Sequence, residues 1–300
     1  MSKIHHTAKT IDRSDKQKSI FVLMVAISAV SSAAPLVKSV TLDPLLIAFW
    51  RTLIVSGVLA LSLRKHHFPI SKKNLLFSFT AGLFLALHFW SWFTSLQQIG
   101  SLRSTTLVCL NPIWVGLIEF LIWKIRHSKH FWLGTFLALI GVGAMSYNPA
   151  ETKLWQLQGD LLAILGGFLG AVYLLIGQKV RQSVDIQPYG FLVCSAAAIC
   201  LGLLSLYFDL PFSDYTVPVY FSLFVLAIGP QFLGHIGLNY CLKKLPASTV
   251  SLALLLEPAG ASLLSLLFLG EAPLPQEIIG SLIILCGVAI GLSTAQKTKK

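Results

Sequence analysis

The chain has 300 residues, of which 55% are hydrophobic and 12% charged, with 23 Lys and Arg against 12 Asp and Glu. A water-facing surface needs about 25% charged residues, so this composition excludes a soluble enzyme, a disordered tail and a fibrous protein, and makes lipid the natural solvent. The net charge of +11 does not point to nucleic acid, because the basic residues fall between apolar runs rather than along one stripe.

A helix needs about 20 apolar residues to cross the hydrocarbon layer. Ten such runs follow one another. The first five are Ser19 to Val40, Leu45 to Leu63, Leu75 to Leu96, Ser104 to Trp123 and Phe131 to Tyr147. The second five are Leu157 to Gly177, Tyr189 to Leu210, Val217 to Leu242, Ser248 to Leu269 and Ile278 to Thr294. Barrel strands would alternate with period two over about 10 residues, which these uniform runs do not. With the N-terminus in the cytoplasm, 19 Lys and Arg fall inside against three outside (Lys38, Arg103, Lys153), and Arg51 lies within a span. That bias predicts a multi-pass inner-membrane protein with both termini cytoplasmic, and residues 1–18 and 295–300 as basic tails at the anionic leaflet. The basic start, apolar run and small residues Ser31 to Ala34 also resemble a cleavable signal peptide. The apolar stretch continues past Pro35 to Val37, which favours a retained first helix. Cys109, Cys194, Cys200, Cys241 and Cys286 lie inside apolar runs with no C-x-x-C pair, so they read as small buried hydrophobes. No metal or cofactor is expected.

Sliding the chain by 146 positions brings Pro112 onto Pro258, Gly134 onto Gly280, Gly141 onto Gly287 and Val142 onto Val288, without a gap. The third to fifth spans therefore repeat as the eighth to tenth, and the molecule is five helices followed by five. Five is odd, so the second copy enters the membrane from the opposite face. The expected fold is an all-α integral membrane protein of ten transmembrane helices in two inverted five-helix repeats, 19–147 and 157–294. Such repeats have two nearly equivalent packings, one open to each side, which is the physical basis of alternating access.

The stretch from Lys243 to Leu292, KKLPASTVSLALLLEPAGASLLSLLFLGEAPLPQEIIGSLIILCGVAIGL, resembles the closing part of an EamA domain of the drug/metabolite transporter superfamily. Gln97 to Ala144 is a degenerate equivalent; Ala34 to Leu61 is similar to the first two helices, with Lys38 and Arg51 at the basic positions; Gly159 to Tyr173 resembles the start of a second EamA repeat. One departure is Lys124-Ile125, where the other repeat has Gly270-Glu271. The resemblance implies a ten-helix carrier of small metabolites, often an exporter of amino acids or related compounds, without ATP hydrolysis.

Ionisable groups inside a span cost about 2.5 to 3.5 kcal/mol on insertion scales, so they face a cavity or a partner. Glu257 directly precedes Pro258, and Asn111 precedes Pro112 at the equivalent place, so polar side chains stand beside helix breaks at symmetric depths. Pro35 and Pro230 mark further breaks. Glu257 either lines a central site or fixes packing. Arg51 is open to three readings: a structural ion pair, snorkelling to an interface, or a substrate carboxylate. Lys38 is expected at the outer interface and Glu119 in an ion pair. The third span carries His88 and Trp90 near mid-depth, with Trp114 in the fourth and Tyr173 in the sixth as further aromatic candidates for a cavity wall; Trp92 and Trp132 read as interface anchors. Gln231, His235 and Asn239, spaced by four, form one inward polar stripe on the eighth span. His235 and Glu257 are the candidates for proton coupling. Gly166 and Gly170 read as a packing face.

An intramembrane enzyme is the main rival, but G-x-S-x-G, H-E-x-x-H and a Walker loop are all absent. The expectation is a secondary transporter of small polar metabolites, foremost amino acids or derivatives, with a nucleoside-type metabolite such as S-adenosylmethionine as the alternative. The expected partners are a small-molecule substrate, membrane lipid, and protons or another coupling ion, with the protein working as a monomer.

Overall fold

The computed structural model describes residues 13–63, 70–99, 101–146, 157–269 and 274–293. Tyr147, Lys153, Gly270, Glu271 and Thr294, named above, lie outside them, as do residues 1–12 and 295–300 of the basic tails.

The described residues form helices and connecting turns. Nine helices are long and apolar enough to cross a membrane, and a tenth is shorter. In chain order they are α1 (Gln17–Ser39), α2 (Pro44–Leu63), α3 (Lys72–Gln98), α4 (Arg103–Trp123) and the shorter α5 (Lys129–Ala144). The second half supplies α6 (Leu157–Arg181), α7 (Ile186–Tyr207), α8 (Val217–Cys241), α9 (Ala247–Leu264) and α10 (Pro275–Ser293). Some helices run past their apolar cores. The helix of α1 begins at Arg13. That of α3 starts at Lys72, three residues before Leu75, because Ser71 Oγ accepts the Asn74 amide at 3.2 Å and caps it. Large apolar side chains such as Ile122, Ile140, Leu203, Phe221 and Leu285 stand exposed, while Arg51, Gln231 and Asn239 are fully enclosed. This inside-out distribution is that of a protein solvated by lipid.

The packing follows a pseudo-two-fold. α2 lies against α7, and α5 against α10, each helix meeting its counterpart from the other repeat. α3 packs on α6, and its counterpart α8 packs on α1. The α5–α10 contact is crosswise. A Cβ added to Gly141 would lie 2.6 Å from the Gly280 carbonyl, and one added to Gly287 would lie 2.7 Å from the Gly134 carbonyl. Gly134 and Gly280 are repeat equivalents, as are Gly141 and Gly287, so each glycine meets the mate of the other. Only antiparallel helices can pair in that order, and the bare backbones let them approach closely. The ends of the helices sort into two faces accordingly. Asn74 bonds Ser183 and Lys244 bonds Asp15 at one face, and Arg103 bonds Asp160 at the other.

Candidate functional site

Four prolines interrupt the spans where the spacing places them. α1 breaks at Ser32, one turn ahead of Pro35. α4 breaks at Cys109–Leu110, so that Asn111 and Pro112 open its second half. α9 breaks at Leu255–Leu256, and Glu257 and Pro258 open its second half. In α8, Pro230 sits inside a π-helical stretch, Ala227–Ile236. The reason is shared: proline offers no N–H to the carbonyl four residues earlier. For Pro112 that carbonyl belongs to Val108, and it packs against Gly167, where a Cβ would lie 2.8 Å from it. Gly167 thus gives an otherwise crowded carbonyl its room.

A cavity of about 40 Å3 lies where these breaks converge. Its walls come from α1, α3 and α4 and from their counterparts α6, α8 and α9, including His88, Trp92, Asn111, Gly170, Tyr173, His235 and Glu257. The same 146-residue shift relates Asn111 to Glu257, Trp92 to Leu238 and Val108 to Leu254 across the cavity, so it sits on the pseudo-two-fold. At this volume it holds about three water molecules.

The wall is polar at defined points. His88 Nδ1 donates to the Gly166 carbonyl at 2.8 Å; a carbonyl only accepts, so that nitrogen carries the proton. His235 lies 6.1 Å from both His88 and Tyr173, ring to ring, and 4.9 Å from Phe89 edge-on. His235 Nδ1 and Asn111 Oδ1 are buried without a hydrogen-bond partner. Glu257 contributes a carboxylate to the same wall. Gly170 contributes an absence: a Cβ there would lie 3.0 Å from His88 Nδ1 and 3.2 Å from Asn111 Oδ1.

Arg51 lies behind this wall. It is 0% exposed, so it does not snorkel, and among the described residues no carboxylate stands within ion-pair distance of it. Its Nε donates to Gln231 Oε1 at 3.1 Å, and the guanidinium lies over Phe89, 4.1 Å from the ring centroid. Nη1 and Nη2 have no hydrogen-bond partner. In place of an ion pair, an amide and an aromatic face hold the charge.

The remaining expected positions scatter. The Gln231, His235, Asn239 stripe faces inward, but only His235 lines the cavity. Gln231 turns to Arg51 and Cys194; Asn239 Nδ2 donates to Tyr173 Oη and to the His235 carbonyl. Spacing by four implies one α-helical face, and the π-helical stretch around Pro230 alters that register. Trp90 and Trp114 are half-buried and off the cavity, Trp114 meeting Phe168 edge-on at 5.6 Å. Trp92, read as an anchor, is buried and lines the cavity, stacked 5.9 Å from His88. Trp92 follows His88 by four residues and shares its helix face, whereas Trp90 does not. Glu119 accepts from His127 at 2.7 Å near the end of α4, Lys38 is exposed at the end of α1, and Pro35 is exposed. Arg181, at the end of α6, is buried and donates to the carbonyls of Asn239 and Val184.

A ten-helix bundle of opposed repeats around a central cavity with polar groups in its wall has the form of a membrane transporter. The EamA-like transporter family matches over residues 17–147 and again over 157–292, and the chain belongs to that family. It is 24% identical to the uncharacterized transporter YdfC of Bacillus subtilis, over 66% of this chain and 64% of YdfC, slightly under two thirds of that relative's length. It is 27% identical to the uncharacterized transporter YwfM of the same organism over 74% of each chain. An uncharacterized transporter of Archaeoglobus fulgidus is 26% identical over 85% of this chain and 89% of its own. One solved crystal structure, 17% identical, superposes over 95% of this chain and 99% of its own with a TM-score of 0.78, a likeness of fold.

Proposed function

We propose that this protein is a secondary transporter that moves small polar metabolites, foremost amino acids or their derivatives, across the inner membrane by alternating access, with both termini in the cytoplasm. The observation that carries the reading is the central cavity on the pseudo-two-fold, whose wall combines a carboxylate with unpartnered polar atoms. A buried polar group without a partner costs about 1–3 kcal/mol, so His235 Nδ1 and Asn111 Oδ1 gain from any solute that satisfies them. Glu257 suits the ammonium group of an amino acid, and the His88–Trp92 wall suits its side chain. The helix breaks in α1, α4, α8 and α9 surround the cavity, as is expected where halves of a carrier rock about a fixed site. His235 and Glu257 are the groups placed to accept a coupling proton. The working unit is the monomer, because the cavity is complete within one chain.

The test is flux. Purified protein in liposomes, given a panel of labelled amino acids, amines and nucleosides under imposed pH and potential gradients, is expected to move amino acids. Movement of nucleosides alone would assign the alternative substrate class. Absence of any flux, with conversion of a lipid or glycan instead, would replace the carrier reading with an enzyme.

A further inference from the structure

Two ion pairs close the molecule at its two faces. At one face, Arg103, the first residue of α4, binds Asp160 near the start of α6 through two bonds, Nε to Oδ1 at 2.8 Å and Nη2 to Oδ2 at 2.6 Å. At the other, Lys244, just ahead of α9, binds Asp15, in the helical turn that leads into α1, at 2.8 Å. The repeat operation exchanges α1 with α6 and α4 with α9. Each pair therefore ties the first helix of one repeat to the entry of the fourth helix of the other. The 146-residue shift carries Asp15 to position 161, beside Asp160. A second tie repeats in the same way. Gln97 Nε2 donates to the Leu42 carbonyl at 3.2 Å, and Lys243, its equivalent under the same shift, binds Asp185 at 2.9 Å. The acidic partners coincide under the shift to within one position, whereas the cations do not: Arg103 falls on Thr249 and Lys244 on Gln98.

We propose that Arg103–Asp160 and Lys244–Asp15 are the two latches of the transport cycle, broken one at a time, each holding the cavity shut toward its own face. The proposal rests on the carrier reading above and adds where the barriers lie. Both latches are closed in the structure. Both lie between repeats, so rocking one half against the other has to break one of them. They differ in strength. The arginine pair is bidentate, with side chains 31% and 17% exposed, whereas the lysine pair is single and 32% and 46% exposed. A planar guanidinium held by two bonds in a drier setting is the stronger contact. The Lys244–Asp15 face is therefore the one that opens first.

The latches are tested by hydrogen–deuterium exchange mass spectrometry on the full chain in nanodiscs without substrate. Asp160→Asn keeps the shape and removes the charge. It is expected to speed exchange at the starts of α4 and α6 and to slow it at the starts of α1 and α9, as the open population moves to the Arg103 face. Asp15→Asn is expected to do the reverse. Partly exposed pairs of this kind correspond to shifts of about fivefold for Asp160→Asn and about twofold for Asp15→Asn. The charge swap Arg103→Asp with Asp160→Arg is expected to restore the original pattern, which a merely misfolded variant would not. Faster exchange confined to the mutated face, or change of the same sign at both faces, would overturn the proposal. Flux in liposomes is scored separately: reciprocal exchange without flux keeps the latches and removes the carrier reading, and flux without reciprocity does the opposite.

Discussion

Gln231→Leu isolates the most exacting arrangement in the bundle. Gln231 Oε1 receives the one side-chain hydrogen bond that Arg51 makes, while Nη1 and Nη2 make none. Leucine nearly matches glutamine in volume, so the change leaves little cavity and removes the bond. A hydrogen bond to a charged group contributes about 1.5–3 kcal/mol. The guanidinium would keep its place over Phe89 and Phe93, at 4.1 and 5.4 Å, which contributes about 1–2 kcal/mol when desolvated. Thermal unfolding in detergent should therefore fall by roughly 3–8 °C for a chain of this size. Adding Arg51→Leu removes the stranded charge and should return stability to within about 1 kcal/mol of the parent, because a buried polar pair replaced by apolar residues is close to neutral. A Gln231→Leu protein that melts like the parent, or a double variant less stable than either single change, would refute this account of Arg51.

Three further outcomes are expected. Gly170→Ala places a methyl group 3.0 Å from His88 Nδ1 and 3.2 Å from Asn111 Oδ1; overpacking of this kind costs about 1–3 kcal/mol, so substrate affinity measured by flux should fall about tenfold with folded yield retained. Gly287→Ala drives a Cβ to 2.5 Å from the Ala138 backbone nitrogen and should lower the melting temperature, whereas Gly143→Ala, with nothing within 4 Å, should not. The charged Lys244 and Lys243 ammonium groups hold Asp15 and Asp185 below the ordinary carboxylate value of 3.8. Their stabilising effect is therefore complete above about pH 4 and lost as pH falls through the lowered values. Exchange rates at that face should be flat from pH 8 to 5, after correction for intrinsic exchange, and rise only in stronger acid.

The bundle is legible in the sequence because its determinants are long and uniform. Apolar runs of span length and coincident Pro and Gly residues mark ten helices in two copies, and the crossed Gly134–Gly287 and Gly141–Gly280 contacts show why those glycines recur. The site is legible where chemistry and helix breaks coincide. Asn111, Glu257, His88, His235 and Tyr173 converge on one cavity although no two share a helix except by symmetry. Trp90 and Trp92 invert because two residues of helical register separate a cavity wall from an outer face. Gln231 and Asn239 diverge from His235 because the π-helical turn at Pro230 changes a register that spacing alone assumes to be regular. Arg51 is harder still: its distance from the end of the span is compatible with snorkelling, and only the enclosing Phe89, Phe93 and Gln231 decide otherwise. Gly170 acts through the space it leaves, which has no signature until its neighbours are known.

In the proposed transport cycle, one cavity, shared by opposed repeats, faces each side of the membrane in turn. A cysteine placed at Leu174 in the cavity wall, with the native cysteines replaced, can be challenged in sealed vesicles with a membrane-impermeant thiol reagent supplied from one side or the other. The account expects labelling from both sides, at different rates, and protection from both by a transported amino acid. Labelling confined to one side under every gradient would contradict it.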